Sequence, residues 1–411
     1  MDRRKFMALG AALGTTAAAG LAHAQPPEIA RLQGPAPPAI STAERQARIG
    51  KAQALMRKQG ISALIVEPGS SLVYFTGIRW SRSERLTCAV IPAEGSIGVV
   101  TPFFEEPSVR ETLAVAAEVR TWQEHEDPLA LVAGWLRDRK AGAVVGIEET
   151  NRFFIPDGLR RSLPSGKLVN AAPVVRGCRM IKSPAEIALM QRAADITMAA
   201  YRYTIPRIEA GMRPGDIGAL MSRATSTLGG NPEFNLILLG EASAYPHGSG
   251  KPQTVKPGEV VLMDCGCTVR GYQSDISRTI VFGEPTAKQR QVWSHVQKGQ
   301  QIAFEAAKLG AAAGSVDDAA RSYYVSLGYG PDYKLPGLSH RTGHGIGLDG
   351  HEPVNLVRGE TTKLAPGMCF SDEPGLYLPG EFGVRLEDCF HMTETGPVWF
   401  SQPSASLEQP V

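Results

Sequence analysis

Four carboxylates and an imidazole in the C-terminal half stand where they could share cations. In EVVLMDCGCTVRGYQSDISRTIVFG, residues 259–283, two β-branched apolar runs flank a turn near Val269–Gly271, with Asp264 and Asp275 on either side of it. A turn centred at 269–270 sets these acids directly opposite each other; one centred at 270–271 makes them diagonal neighbours. Either register puts both on one face of a hairpin. In MCFSDEPGLYLPGEFGVRLEDCFHM the turn is Pro379–Gly383, and Glu373 and Glu387 are equidistant from Gly380, so they should face each other across the strands. A third stretch, SHRTGHGIGLDGHEP, puts His344 between two glycines, where bare backbone leaves room around the ring.

A lone strand aspartate usually lies on a solvated edge, and a lone histidine is usually satisfied by the core. Paired acids on one sheet face are harder to place that way. Four carboxylates in one pocket would repel one another and be forced to protonate unless cations neutralise them. Two divalent ions supply that compensation. Oxygen-rich ligands with one imidazole suit manganese, iron, cobalt or zinc.

The order Asp264-x10-Asp275, GHGIG, EPG, VRLED resembles the pita-bread metallopeptidases, which include methionine aminopeptidase, aminopeptidase P, prolidase and the metal-free creatinase. The match runs from about Arg179 to Thr393, and VYFTG and RMIKSPAEIALM upstream are similar to the creatinase-type N-terminal domain. The resemblance implies an α+β fold: a curved, mostly antiparallel pita-bread sheet covered by helices, preceded by a smaller mixed α/β domain. It implies that Asp264 chelates one metal, that His344 and Glu373 hold the other, and that Asp275 and Glu387 bridge them. Manganese is the expected metal, with cobalt, iron or zinc as substitutes. A water between the ions would ionise near neutral pH and attack the scissile carbonyl, with Glu373 taking and returning the proton. His351 and His247 would hydrogen-bond the oxyanion and the reacting peptide. His340 and Arg385 would shape the pocket beyond the scissile bond. His125, His295 and His391 fall outside these motifs and read as structural.

The N-terminal domain, His340 and Arg385 all resemble the proline-cleaving branch. The implied activity is hydrolysis of Xaa-Pro bonds in short peptides or dipeptides by a homodimer. Three other readings compete. Creatinase-like hydrolases lack the metal ligands, and non-catalytic pita-bread binding modules lose them; here all five are present. Metal-dependent lyases of this fold are expected to carry a further aspartate two residues after the first ligand, where this chain has Gly266.

These residues need two domains to position them, which suits the length. From Glu44 to Lys182 the pattern is mixed α/β: a helix over Glu44–Gln59, then strand-like runs at Ala63–Val66, Val73–Thr76, Leu86–Ile91, Gly98–Thr101, Ala143–Glu148 and Lys167–Val175. Ser183-Pro184-Ala185-Glu186 starts a helix by N-cap, first-turn proline and capping box, and marks the domain boundary at 183. Ile187, Met190, Ala194, Met198, Tyr201 and Ile205 give that helix an apolar stripe. Further helices are expected over 286–309 and 315–327.

Arg3-Arg4, an alanine-rich apolar run and Ala22-His23-Ala24 read as a twin-arginine export signal over 1–24, which places the mature chain in the periplasm or outside the cell. Residues 25–43 read as a flexible lead-in. Removing Arg3, Arg4, Lys5 and Asp2 from 43 basic and 41 acidic residues leaves 40 of each. That balance argues against nucleic acid as a partner, and no later segment is long and apolar enough to span a membrane. Six cysteines in so long a chain are no disulfide framework.

Overall fold

The computed structural model describes residue 29 and residues 32–411; the export signal expected over 1–24 lies outside the described residues. Helix α1 (Thr42–Gln59) opens on Ser41, whose Oγ accepts from Glu44 N. The lead-in expected to be flexible is, where described, laid on the second domain. Ile40 is buried in that domain's core, Ile29 and Leu32 pack against it, and Arg192 donates to Gln33 O. Three apolar residues in a polar stretch are enough to anchor it.

The first domain carries β1 (Ala63–Val66), α2 (Ser70–Thr76), β2 (Cys88–Pro92), β3 (Ile97–Pro102), α3 (Glu106–Thr112), β4 (Ala117–Trp122), α4 (Pro128–Asp138), β5 (Val144–Ile147), α5 (Phe154–Ser162), β6 (Lys167–Asn170) and α6 (Ala172–Arg179). Its strands form one mixed sheet in the order β4-β3-β2-β1-β5-β6. Two expectations fail here. Val73–Thr76 is helical, because burying Leu72, Tyr74 and Phe75 in the core outweighs the strand preference of β-branched and aromatic residues. The run from Lys167 stops at Asn170, whose Oδ1 accepts from Ala172 N as α6 begins, with Pro173 in its first turn.

Helix α7 (Pro184–Thr204) starts with the reciprocal capping box between Ser183 and Glu186, and its apolar stripe lies in a core shared with α8 (Pro214–Thr227), β7 (Asn231–Leu239) and β8 (Val260–Val269). Beyond them come β9 (Tyr272–Gln273), β10 (Ile276–Val281), α9 (Ala287–Ala306), α10 (Gly314–Ser326), β11 (Gly343–Gly345), β12 (Glu352–Leu356), β13 (Cys369–Asp372), β14 (Gly375–Leu378), β15 (Phe382–Arg385), β16 (Asp388–Thr393) and β17 (Gly396–Trp399). All their pairings are antiparallel. They make a sheet β10-β8-β7 with β9 on β8, a sheet β12-β11-β13-β16-β17, and the ribbon β14-β15. Along β8 the residues alternate: Val261, Met263, Cys265 and Cys267 face α7 and α8, while Val260 and Leu262 pack with α9. Asp264 shares the second face.

Candidate metal centre

The turn after β8 has positive φ at Arg270 (55°) and Gly271 (91°), as a two-residue hairpin requires. It is therefore centred at 270–271, Ser277 pairs with Asp264, and Asp275 becomes the diagonal neighbour of Asp264. In the second hairpin Cys369 pairs with His391, Asp372 with Asp388 and Gly375 with Arg385, a register centred on Gly380. Glu373 and Glu387 occupy the gap where the strand pair passes from β13-β16 into β14-β15. His344 enters on β11, its N–H donating to Ser371 Oγ at 3.0 Å.

These acids converge. Ligand atoms of Asp264, Asp275 and Glu387 lie within 4.8 Å of one another, as do those of His344, Glu373 and Glu387, and those of Asp275, His344 and His351. The five expected ligands are thus together, with Asp275 and Glu387 each in two triads. His351, expected only to touch substrate, is also within ligand reach.

His344 Nδ1 donates to Gly345 O at 3.1 Å, which turns Nε2 toward Glu373 Oε1 at 3.2 Å and Asp275 Oδ2 at 3.7 Å. Arg385 Nη2 donates to Asp264 Oδ2 at 2.6 Å and its Nε to Ser277 Oγ at 2.9 Å; Ser277 in turn donates to Glu387 Oε2 at 2.8 Å. That leaves Asp264 Oδ1 and Glu387 Oε1 buried with no hydrogen-bond partner. Burial, then the charges of Asp264 and Glu373, drive the Asp275 carboxyl well above its usual range. Glu387 is driven up by burial and by Asp275. Burial acts the same way on Glu373, but hydrogen bonding and charge from His344, with His340 and Arg385, hold it at about 2. Unpaired buried oxygens among mutually repelling acids fit a pair of divalent cations.

A cavity of about 810 Å³ opens onto this cluster, and all nine residues singled out in the sequence line it: Asp264, Asp275, His344, Glu373, Glu387, His247, His340, His351 and Arg385. Burial and then His344 hold the His351 ring down at about 4. His340 Nδ1 meets Arg341 O and its Nε2 accepts from Tyr377 OH, both at 2.7 Å; Tyr377 OH also accepts from Arg385 Nη1 at 3.2 Å. Sequence reasoning missed Tyr377, and it missed Glu233, Phe234, Gln273 and Arg341 on the cavity wall. Strand alternation could have found Gln273, two residues before Asp275. His295 meets Tyr329 OH at 3.2 Å and His391 packs on Phe400, away from the cavity.

Residues 188–394 match metallopeptidase family M24, and residues 48–181 match the creatinase/prolidase N-terminal domain. The chain belongs to family M24. It is 34% identical over 357 residues to the probable dipeptidase PepE of Mycobacterium tuberculosis, covering 85% of this chain and 92% of that protein. It is 32% identical over 348 residues to the Xaa-Pro dipeptidase of Lactobacillus helveticus, covering 82% and 92%. The prolidase structure from Thermococcus sibiricus superimposes with a TM-score of 0.80 at 29% identity, over 87% of this chain and 97% of that one. The M24 domain is a pita-bread fold, behind a creatinase-like N-terminal domain. The extra aspartate of the lyase-like M24 reading has no room: a Cβ on Gly266 would stand 2.3 Å from Ser274 O and 2.4 Å from a Phe234 ring carbon.

Proposed function

We propose that this M24 member is a Xaa-Pro dipeptidase that works with two divalent ions, manganese first among them. The observation that carries the reading is the overlap of the triads at Glu387 and Asp275, with one buried oxygen of Asp264 and one of Glu387 unpaired. Asp264 would hold one ion and His344 and Glu373 the other, with Asp275 and Glu387 contributing to both. Bound there, divalent ions supply Lewis acidity toward the scissile carbonyl and toward water. Glu373 takes the proton from the attacking water on a carboxylate oxygen and passes it to the leaving proline nitrogen. His351 and His247 donate to the carbonyl oxygen as it gains charge. His340 and Arg385, joined through Tyr377, hold the wall beyond the scissile bond. The dipeptide preference is supported by relatives named for dipeptidase activity.

The twin-arginine signal supports export of the folded chain to the periplasm or beyond, and the N-terminal domain supports a homodimer. Among the described residues no helix is long and apolar enough to cross a membrane. The deciding experiment offers Gly-Pro, Ala-Pro and Xaa-Pro-Xaa peptides to enzyme stripped of metal and reloaded with manganese, cobalt, iron or zinc. Release of proline from dipeptides, restored by metal, is the expected result. No hydrolysis of any Xaa-Pro bond with any of these metals would reject the reading.

A further inference from the structure

We propose that Arg179, at the end of α6, and Lys182, in the link between the two domains, are positioning residues for His351, acting through the Glu352 carboxylate. The proposal rests on the peptidase reading for what His351 does. Among the described residues none hydrogen-bonds to the His351 ring. Its one ring neighbour among the described residues is His344, at 4.1 Å between centroids, so its placement depends on the backbone that carries it.

That backbone is the loop from Ile346 to His351, and the carboxylate of Glu352, the first residue of β12, closes it. Glu352 Oε1 accepts from Leu348 N at 2.9 Å and Asp349 N at 3.2 Å, folding the loop back on itself. The same oxygen accepts from Arg179 Nη2 at 2.5 Å, and Oε2 accepts from Lys182 Nζ at 2.9 Å. Arg179 Nη2 also reaches Asp349 Oδ2 at 2.7 Å, while its Nη1 donates to Ser71 Oγ at 3.1 Å; Ser70 Oγ donates to Asp349 Oδ1. The start of α2, the end of α6 and the link thus grip a loop of the second domain at the residue next to His351.

The grip is dry and tight. Lys182 and Glu352 side chains are 3% and 4% exposed, so water screens little of the attraction. A Cβ on Gly347 would stand 2.8 Å from both Lys182 Cε and Glu352 Oε1, so the loop backbone packs directly against the ion pair. A shift of about 1 Å in a group that meets the reacting atoms costs roughly a hundredfold in rate. Fixing this loop is therefore a contribution to turnover, separate from holding the two domains together.

The test places Lys182→Met and Glu352→Gln in the wild-type chain and in a His351→Ala chain. It reads kcat and KM on a Xaa-Pro dipeptide, metal content, thermal unfolding and the His351 ring resonance, assigned by its loss in His351→Ala. In the wild-type background each change is expected to lower kcat by about tenfold or more with metal content kept, and Lys182→Arg to recover most of it. In the His351→Ala background the same changes should cost nothing further, because effects that pass through one residue do not add. Equal fold losses in both backgrounds, or an unchanged kcat, overturn the proposal. Should Glu352→Gln not fold, Arg179→Lys and Lys182→Met are judged by the same criteria. An enzyme inactive on every Xaa-Pro peptide rejects the peptidase reading instead; positioning is then judged by the His351 resonance, which must move in Lys182→Met and overturns the proposal if it does not.

Discussion

Arg385 and Asp264 form an ion pair inside the cavity, Nη2 to Oδ2 at 2.6 Å, and the pair leaves Asp264 Oδ1 as an unpartnered oxygen. The arginine thus fixes which carboxylate oxygen a cation would meet. It is itself held by Ser277, by Pro246 O and by Tyr377. Arg385→Met should therefore weaken metal binding by about 10–100-fold, the range for lost support of a ligand. Metal titration followed by calorimetry reads this directly, and an unchanged affinity would separate Arg385 from the ligand set.

Glu387 belongs to two of the three triads, so its removal should damage both sites at once. Glu387→Ala and Asp275→Ala are each expected to abolish turnover and to leave protein with less than the wild-type metal complement. Elemental analysis after dialysis gives the stoichiometry. Full activity in metal-depleted Asp275→Ala protein would end the two-ion mechanism.

His351 separates chemistry from metal binding. Its substitution by alanine should keep both ions and lower kcat by about a hundredfold or more, the usual loss for one oxyanion donor. The ring is close enough to Asp275 and His344 to act as a ligand instead. A fall in metal occupancy in His351→Ala would show that it does.

The second hairpin was legible because its two acids are symmetric about one glycine, and symmetry about a turn fixes register without knowledge of the rest of the fold. The first left two registers open because Val269-Arg270-Gly271 has two plausible centres; only the positive φ at Arg270 and Gly271 chooses between them. Tyr377 escaped notice because its role is a hydrogen bond to a histidine 37 residues away. Glu352 has partners 170 and 173 residues distant, beyond any spacing argument. Val73–Thr76 misled for the opposite reason, since local preference was clear and burial overrode it. Motifs placed around turns survive the reading; contacts between residues far apart in the chain do not.

The thiols follow from the same register. Cys369 pairs with His391 and Cys389 with Ser371, so the two cysteines are diagonal, about 7–8 Å apart and beyond disulfide reach. Cys389 Sγ donates to Asp275 O at 3.2 Å, and Cys267 Sγ donates to Ala193 O at 3.3 Å under α7. All six cysteines are free and buried. Thiol titration of denatured, unreduced protein should return six per chain, even from material recovered from an oxidising compartment. A count of four would mean that one pair had found another geometry.

Acid should erode the stability that the Glu352 ion pairs contribute. Burial pushes the Glu352 carboxyl up, but Lys182 and Arg179 more than offset it and hold it at about 2, against 4.5 for the free group. The unfolded chain therefore binds this proton more readily than the folded one. The stabilisation is fully present above about pH 4.5 and is lost as pH falls toward 2, and a displacement of that size is worth about 3 kcal/mol. Other carboxylates titrate in the same window, so the comparison is between wild type and Glu352→Gln, both metal-free, unfolded by urea at steps from pH 7 to pH 3. The wild type should be the more stable at pH 7, and its advantage should shrink steadily below about pH 4.5. A gap that stays constant with pH would mean that Glu352 is not held as an anion by Arg179 and Lys182, and the ionic grip on the His351 loop would go with it.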